Sequence, residues 1–389
     1  MSSYHSQEQT LAQLPQPGVS EIEHSSELIE FIVGEIEQHG VLPFSAYMNM
    51  ALYQPGLGYY SAGSTKFGAS GDFTTAPEIS PLFGHCLARQ CESIFSQGCA
   101  HHLLEFGAGS GRLCAQILSS LSDPVSYSIV EISADLRARQ QLYLQDNLPP
   151  ALFKQVQWLD KLPENFDGIL FGNEVLDAMP VSVVVKDQQW QELGVGYDGE
   201  RLIWQHLTGQ SDAVSAIQVI EKEVGVLAEG YCTEVNLNFK PWLEALQACC
   251  HQAVILMIDY GYEQSQYYHP QRTSGTLTCH YRHRAHPDPF VYPGLQDITA
   301  FVDFDAFADA ALCAGFSVSG LTSQRQFLLH NGLLDEAQLL DQSHDTRAQI
   351  ELAQQIKTLT LPGEMGEKFK VIGLQKNLSI DIPALAGGR

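Results

Sequence analysis

The chain has 389 residues, 44% of them hydrophobic, which is enough for one large domain with insertions or for two domains. Its 45 acidic residues outnumber its 21 lysines and arginines, and the formal net charge of −24 repels nucleic-acid phosphates and acidic lipid headgroups. We therefore expect no nucleic-acid partner, and no run is apolar enough to predict membrane insertion.

The cysteines and the early charge pattern bear on the compartment. The first Lys or Arg is Lys66, which is unlike a secretory signal or a mitochondrial transit peptide. The nine cysteines are an odd number and mostly lie among apolar residues, as buried free thiols do. These features predict a reduced, cytoplasmic protein, and the oligomeric state stays open.

The N-terminal part predicts a flexible arm over residues 1–20, followed by a helical cap and lid over 21–99. Apolar residues at helical spacing predict helices from about Ser25 to His39 and from about Pro43 onward. A third helix is predicted to begin near Ala76 and to continue unbroken to about Ile94. Its start is inferred from Thr75 and Glu78, which have the three-residue separation of a capping box.

The loop before this third helix is rich in aromatic residues and glycines, with no regular apolar period. It contains Tyr60 and the run Gly71, Asp72 and Phe73. Two interpretations stay open for it: a lid whose amides meet a cofactor, or an Ω-loop packed on its own aromatic side chains.

A glycine-rich turn follows the first predicted core strand, Leu103 to Phe106, and precedes a helix. Glycines at positions 107, 109 and 111 give the pattern G-x-G-x-G, and Arg112 stands where a dinucleotide loop has its third glycine. Glu105, two residues before Gly107, would repel a pyrophosphate but attract the amino or sulfonium group of S-adenosylmethionine. Since glycine turns occur in any open α/β sheet, the loop alone predicts only a nucleotide-type site, for which we single out Gly107, Gly109, Gly111 and Glu105.

The second core strand, Ser126 to Ile132, places an acid about twenty residues after the last glycine. Such an acid can accept hydrogen bonds from both ribose hydroxyls of a bound nucleotide. We therefore predict that Glu131, with its neighbour Ile132, binds the cofactor.

The remaining core strands are nearly continuous apolar runs, typical of parallel strands covered on both faces. They are predicted at Val156 to Leu159, Phe166 to Phe171, Val254 to Gly261, Phe316 to Leu321 and Phe369 to Gln375. An insertion over 187–250 lies between strands four and five, and its Asp198-Gly199 pair predicts a β-hairpin that we expect to extend one edge of the sheet. The core halves are assigned to 100–186 and 251–377, with a tail at 378–389.

This order of elements predicts an α/β fold of the class I methyltransferase (Rossmann-like) type: a seven-stranded sheet whose last strand is antiparallel. Two late strands in succession are the feature that a dinucleotide-binding domain lacks. The N-terminal helical cap and the hairpin-containing insertion complete the predicted architecture.

From about Pro43 to Lys376 the sequence resembles the MidA family of class I S-adenosylmethionine-dependent methyltransferases, which includes a mitochondrial complex I assembly factor that methylates a protein arginine. The segments that carry the resemblance are Gly71 to Ser80, Glu105 to Gly111, Gly172 to Pro180, Ile258 to Gly261, Gly275 to Leu277, Tyr281 to His283, Gln296 to Thr299, Val302 to Phe304, Met365-Gly366 and Phe369 to Val371. The resemblance implies S-adenosyl-L-methionine as cofactor and a protein substrate with a target arginine, such as a respiratory-complex subunit. The missing targeting peptide indicates a bacterial member.

The resemblance also implies roles for particular residues. Gly71, Asp72 and Phe73 would close over the cofactor, and Tyr60 is grouped with them as cofactor-binding. Residues after strand four would meet the substrate, where a carboxylate can hold a guanidinium bidentately. The catalytic candidates are therefore Asn173, Glu174 and Asp177, with His283 as a further candidate and Asn173 also facing the cofactor.

Alternatives to these roles remain. Asp177 could instead be a helix N-cap. The cluster Cys279, His280, His283 and His286 could suggest zinc, but its spacing matches no standard ligand pattern, and we predict no metal.

Three functional hypotheses follow from the sequence. The leading one is a methyltransferase that acts on a protein arginine. The second is a methyltransferase for a small molecule, and the third is a cofactor-binding assembly factor without catalysis.

Overall fold

The structure, a computed structural model, describes residues 10, 14–62, 74–340 and 345–386. The chain forms two compact units, each built from separate stretches of sequence. Unit 1 comprises Met1–Phe73, Asp177–Phe239 and Tyr262–Asp305, and unit 2 comprises Thr74–Leu176, Lys240–Gly261 and Ala306–Arg389.

The helices of the described chain are α1 Val19–His39, α2 Phe44–Tyr53, α3 Ala76–Ile79, α4 Pro81–Phe95, α5 Arg112–Ser120, α6 Ala134–Asn147, α7 Pro150–Phe153, α8 Asp212–Val224, α9 Phe239–Cys249, α10 Gln264–Tyr267, α11 Phe304–Cys313, α12 Gln324–His330, α13 Leu333–Leu340, α14 Thr346–Thr360 and α15 Met365–Lys368. The strands are β1 Leu42–Pro43, β2 His102–Phe106, β3 Ser126–Val130, β4 Val156–Leu159, β5 Phe166–Asn173, β6 Ser182–Asp187, β7 Gln189–Tyr197, β8 Leu202–His206, β9 Cys232–Val235, β10 Cys250–Tyr262, β11 Thr278–Tyr281, β12 Arg284–His286, β13 Asp297–Thr299, β14 Val302–Asp303, β15 Ser317–Ser323 and β16 Phe369–Lys376.

The central sheet of unit 2 is mixed, and its strands run in the order β15-β16-β10-β5-β2-β3-β4. The strands from β10 to β4 pair in parallel, whereas β16 is antiparallel to both β10 and β15. The order reverses beside β2, so the crevice that binds ligands in open α/β sheets is expected at the carboxyl ends of β2 and β5. The predicted α/β fold with a mixed sheet is confirmed.

The apolar strand runs are buried as their composition predicts. Side chains of β2, β5 and β10 form one hydrophobic core with α4 and α5, and Leu103, Ile169 and Leu256 are fully inaccessible. A strand covered on both faces needs no polar alternation, which is why these runs are nearly continuous.

The predicted helix from Ala76 to Ile94 is wrong in one respect, because it is two helices, α3 and α4. Ser80 between them is extended, with φ −155°, and its Oγ accepts a hydrogen bond from Leu82 N at 3.3 Å. The proline that follows Ser80 disfavours helical backbone at Ser80 and itself fits the first helical position. The predicted capping box is also wrong, since the Thr75 side chain makes no capping hydrogen bond.

Unit 1 contains residues 187–239 of the insertion, and residues 240–250 belong to unit 2. The predicted hairpin is confirmed: β7 and β8 pair antiparallel, and Asp198 Oδ1 accepts from Glu200 N and Arg201 N, both at 2.9 Å. The expectation that this hairpin extends the central sheet is wrong. Its strands lie in a sheet of their own, in the order β1-β7-β6-β9, with β8 paired to β7. Because β7 pairs with β1 and β6 as well as with β8, it does not pair with the central sheet.

Two further observations concern the whole described chain. All nine cysteines are free thiols, and seven of them are buried. In the part of the chain that the structure describes, no helix has both the length and the apolar character needed to cross a membrane.

Candidate functional site

The glycine loop joins β2 to α5 at the carboxyl edge of the central sheet. Gly107, Gly109 and Gly111 have φ values of 60°, 53° and 85°, a left-handed region that other residues adopt at a cost. A Cβ at Gly107 would lie 3.3 Å from Val175 Cγ2, and Gly107 is exposed. The loop therefore presents main chain that a ligand can approach closely.

A carboxylate from α3 holds this loop. Glu78 accepts a hydrogen bond from Ser110 Oγ and another from Arg112 Nε, the latter at 2.8 Å. The Arg112 guanidinium carbon also lies 5.6 Å from the centre of the Tyr143 ring. The residue that stands in place of a third glycine thus ties the start of α5 to Glu78, which sequence reasoning had taken for part of a capping box.

Glu105 is buried on β2, and its Oε2 accepts a hydrogen bond from Tyr127 OH at 2.8 Å. Burial raises the pKa of the Glu105 carboxyl to about 8, the Tyr127 hydroxyl partly offsets this, and the nearby Glu131 adds to it. Near neutral pH this carboxyl is therefore largely protonated, unlike the fixed negative charge that we expected from the sequence.

Glu131 follows β3 and is buried. Its Oε1 accepts from Ser133 N and its Oε2 from Gln140 Nε2, both at 2.9 Å. Gln140 Nε2 also donates to Gly109 O at 3.1 Å, while Gln140 Oε1 accepts from Trp158 Nε1 at 3.0 Å. Gln140 thereby connects the acid to the glycine loop, a link that spacing along the sequence did not indicate.

The chemistry of these groups fits a nucleoside that carries a charged substituent. A carboxylate such as that of Glu131 can accept hydrogen bonds from ribose hydroxyls. Ile132, directly after Glu131, is 67% exposed and offers an apolar surface for a base. A carboxylate, an apolar residue and a glycine loop at one sheet edge fit the chemistry of S-adenosyl-L-methionine.

The turn after β5 brings a second acid to this edge. Glu174 is half-buried and has a φ of 55°, which is uncommon for a residue other than glycine. Its N–H donates to Ile258 O at 2.9 Å, and its Oε1 accepts from Asn173 Nδ2 at 2.9 Å. Strained backbone of this kind is concentrated at functional sites, provided that the surroundings hold it in place.

Two predicted site residues, Tyr60 and Asp177, belong to unit 1. Tyr60 OH donates to Asp297 Oδ1 at 3.0 Å, and burial, followed by the charge of Asp297, raises the pKa of Tyr60 well above its usual value. Asp177 is buried, and its carbonyl accepts from Ala300 N at 3.0 Å. Asp177 begins no helix, so its interpretation as an N-cap is wrong.

His283 also lies in unit 1, at the tip of the hairpin formed by β11 and β12. Arg282 and His283 occupy the turn with φ values of 47° and 60°, and His283 is exposed. Arg282 forms an ion pair with Glu21 at 2.8 Å. Within the described ranges, no three His, Cys, Asp or Glu side chains are grouped as metal ligands. Gly71, Asp72 and Phe73 lie outside the described residues.

Comparison with known proteins agrees with this geometry. Residues 86–322 match the model of a family described as S-adenosyl-L-methionine-dependent methyltransferases. A Burkholderia thailandensis protein crystallised with S-adenosyl-homocysteine is 41% identical, with a TM-score of 0.90, over 97% of this chain and 98% of that one. The human mitochondrial protein arginine methyltransferase NDUFAF7 is 27% identical over 89% of this chain and 83% of its own. Its zebrafish counterpart is 26% identical over 88% of this chain and 85% of its own.

Proposed function

Because the chain belongs to this family of S-adenosyl-L-methionine-dependent methyltransferases, we propose that it methylates an arginine side chain of a protein substrate. The relatives named protein arginine methyltransferases support this choice of substrate. The strained turn at Glu174, next to the glycine loop, is the observation that supports the proposal, because it would offer a carboxylate to a substrate beside the bound methyl donor.

The cofactor supplies a methyl group on a sulfonium, and the protein's task is to bind and orient the reactants. We assign Gly107, Gly109 and Gly111 to main-chain approach around its methionine part. Glu131 would accept the ribose hydroxyls, and Ile132 would cover the base. Glu105 would lie near the positive part of the cofactor, which would favour ionisation of its carboxyl.

A carboxylate suits arginine for a chemical reason. The guanidinium stays protonated in proteins, so catalysis depends on holding it and localising its charge away from the attacking nitrogen. Glu174, supported by Asn173, is proposed to hold the guanidinium bidentately. Asp177 is proposed as a second acid for the substrate, and the exposed His283 fits contact with a protein surface.

The proposal also covers the cofactor lid, the substrate proteins and the cellular location. Gly71, Asp72, Phe73 and Tyr60 are proposed to close over the cofactor, on the strength of the family resemblance. Subunits of respiratory complexes are the first candidate substrates for the same reason. The free, mostly buried cysteines support a reduced, cytoplasmic location.

The test uses lysate from cells that lack this chain, incubated with isotopically labelled S-adenosyl-L-methionine and the purified protein. We expect label in one or a few protein bands, and mass spectrometry of their peptides should show methylated arginine. Glu174→Gln should lower the rate of labelling by at least about 100-fold, as loss of one transition-state contact can, whereas exposed Glu351→Gln should not change it. Label on other residues would overturn the arginine assignment.

The same assay separates the alternatives. A small-molecule methyltransferase would leave label below protein size. An assembly factor without catalysis would transfer no label, and its cellular role would survive Glu174→Gln although deletion of the chain abolished it.

A further inference from the structure

Asp259 lies near the end of β10, the strand beside β5 in the central sheet. The residue before it, Ile258, pairs in register with Asn173. Asp259 is fully buried. A buried carboxylate is costly unless the protein satisfies its oxygens with hydrogen bonds, so its partners indicate its purpose.

Three of those partners are main-chain amides, and two of these belong to the turn after β5. Asp259 Oδ2 accepts from Val175 N at 3.1 Å and from Leu176 N at 2.8 Å. Asp259 Oδ1 accepts from Tyr260 N at 2.8 Å. The carboxylate therefore anchors the two residues that directly follow Glu174.

Glu174 is the residue in this turn whose backbone needs holding. Its left-handed φ of 55° is favoured by neither its β-carbon nor its side chain. Its own N–H is fixed by Ile258 O at 2.9 Å, and the next two N–H groups are fixed by Asp259. β10 thus holds three consecutive amides, starting at Glu174, in the orientation that this φ requires.

The turn after β5 also lies next to the glycine loop. Val175 Cγ2 lies 3.3 Å from where a Cβ of Gly107 would stand, and 3.0 Å from where a Cβ of Gly172 would stand. Any shift of Val175 would therefore change both the approach to Gly107 and the direction of the Glu174 side chain. The position of the acid relative to the glycine loop depends on this segment.

We infer that Asp259 is a positioning residue for methyl transfer, which fixes the strained turn so that the Glu174 carboxylate faces the substrate. This inference rests on the proposed role of Glu174, and it does not depend on which residue of the substrate is methylated. Asn cannot replace Asp259, because each carboxylate oxygen accepts from a main-chain N–H. The Asn side chain has only one oxygen, and its NH2 group cannot accept a hydrogen bond from an N–H group.

The first measurement is hydrogen exchange on the wild-type protein and on Asp259→Asn. In the wild type, the amides of Val175 and Leu176 should exchange slowly. In Asp259→Asn they should exchange at least about tenfold faster, the factor that follows from losing roughly one net hydrogen bond. Asp198→Asn is the matched control, since Asp198 also accepts hydrogen bonds from main-chain amides but lies in the insertion hairpin. Rapid exchange at Val175 and Leu176 in the wild type would overturn the inference even if the variant does not fold.

The second measurement is a double-mutant cycle on the rate of total methyl transfer, whatever the acceptor, at saturating cofactor. We expect Asp259→Asn alone to lower the rate by about 100-fold, as a misplacement of about 1 Å can, while cofactor affinity changes by less than about threefold. In the Glu174→Gln background, Asp259→Asn should have little further effect, because it acts through Glu174. Multiplicative effects of the two substitutions, or an unchanged rate in Asp259→Asn, would overturn the inference, whereas label on residues other than arginine would overturn only the proposed substrate.

Discussion

Glu105 makes stability depend on pH in a predictable direction. Because burial raises the pKa of its carboxyl to about 8, the folded protein keeps a proton there that the unfolded chain loses above about pH 4.5. The folded state therefore loses stability as the pH rises from about 4.5 to 8. Glu105→Gln has a neutral side chain that can still form hydrogen bonds, so its stability should not fall over this pH range for this reason.

Thermal unfolding at pH 5 and pH 8.5 tests the prediction for Glu105. The variant should unfold at nearly the wild-type temperature at pH 5 and at least about 2 °C higher at pH 8.5. The exposed Glu351→Gln serves as the control and should show no such difference. If Glu105→Gln and the wild type unfolded at the same temperature at pH 8.5, burial would not raise the pKa of the Glu105 carboxyl as described.

Glu78 should contribute to cofactor affinity although it precedes the glycine loop by about thirty residues. It accepts from Ser110 Oγ and from Arg112 Nε, so Glu78→Ala removes both contacts at the C-terminal end of the loop. We expect the dissociation constant for S-adenosyl-L-methionine to rise by about tenfold or more, since hydrogen bonds to charged groups contribute about 1.5 to 3 kcal/mol. Isothermal titration measures this, and an affinity equal to that of Glu351→Gln would contradict it.

At the residue scale, the sequence predicts what depends on local spacing. Gly107, Gly109 and Gly111 have the left-handed backbone that their pattern indicates. Glu131 lies at the carboxyl end of the second core strand, which ends at Val130 and not at Ile132 as predicted. Gln140 was missed, because it contacts residues 9 and 31 positions away in the sequence. Asp259 was placed in a segment that carries the resemblance, but no role was assigned to it, because its contacts with the turn after β5 are 83 and 84 positions away. Glu78 was noticed but misinterpreted, since its separation from Thr75 fits a capping box equally well.

At the element scale, the pairing of β5 with β2 depends on one glycine. Gly168 has a φ of 147°, and a Cβ there would lie 2.3 Å from His102 O. Gly168→Ala should lower the free energy of unfolding by more than about 1 kcal/mol, because its backbone conformation and its neighbour both exclude a side chain. Denaturant unfolding measures the change.

Gly34 provides the matched control for Gly168. It lies inside α1, and a Cβ there would have no atom within 4 Å. Gly34→Ala should therefore raise the free energy of unfolding by about 0.5 to 1 kcal/mol, because alanine loses less conformational freedom in a helix. If Gly168→Ala left the free energy of unfolding unchanged or raised it, as expected for Gly34→Ala, the local packing described for Gly168 would be wrong.

The elements themselves were predictable where one face or both faces of a regular structure are buried. β4 coincides with the predicted strand, and the apolar runs of β5 and β10 were found although both strands extend further. The break at Ser80 depends on Pro81, which a periodic apolar pattern hides. The sheet formed by the insertion depends on strand pairing, which sequence alternation alone does not specify.

At the scale of the whole molecule, the net charge of −24 should affect substrate encounter. An acidic surface attracts a basic protein segment, and salt screens that attraction over about 10 Å at 0.1 M ionic strength. We expect kcat/KM for an arginine-containing protein substrate to fall as salt rises, with a much smaller change in kcat. Initial rates at low and high salt check this, and a kcat/KM that is independent of salt would contradict a steering role.

The proposed function depends on a division of labour in which the glycine loop would bind the cofactor and the turn after β5 would hold the substrate. Glu174→Gln separates these roles in one protein preparation, by isothermal titration with S-adenosyl-L-methionine and by the rate of methyl transfer to protein arginine. We predict a dissociation constant within about twofold of the wild type and a transfer rate lowered by at least about 100-fold, as loss of one transition-state contact can produce. Full transfer activity in Glu174→Gln would contradict the account.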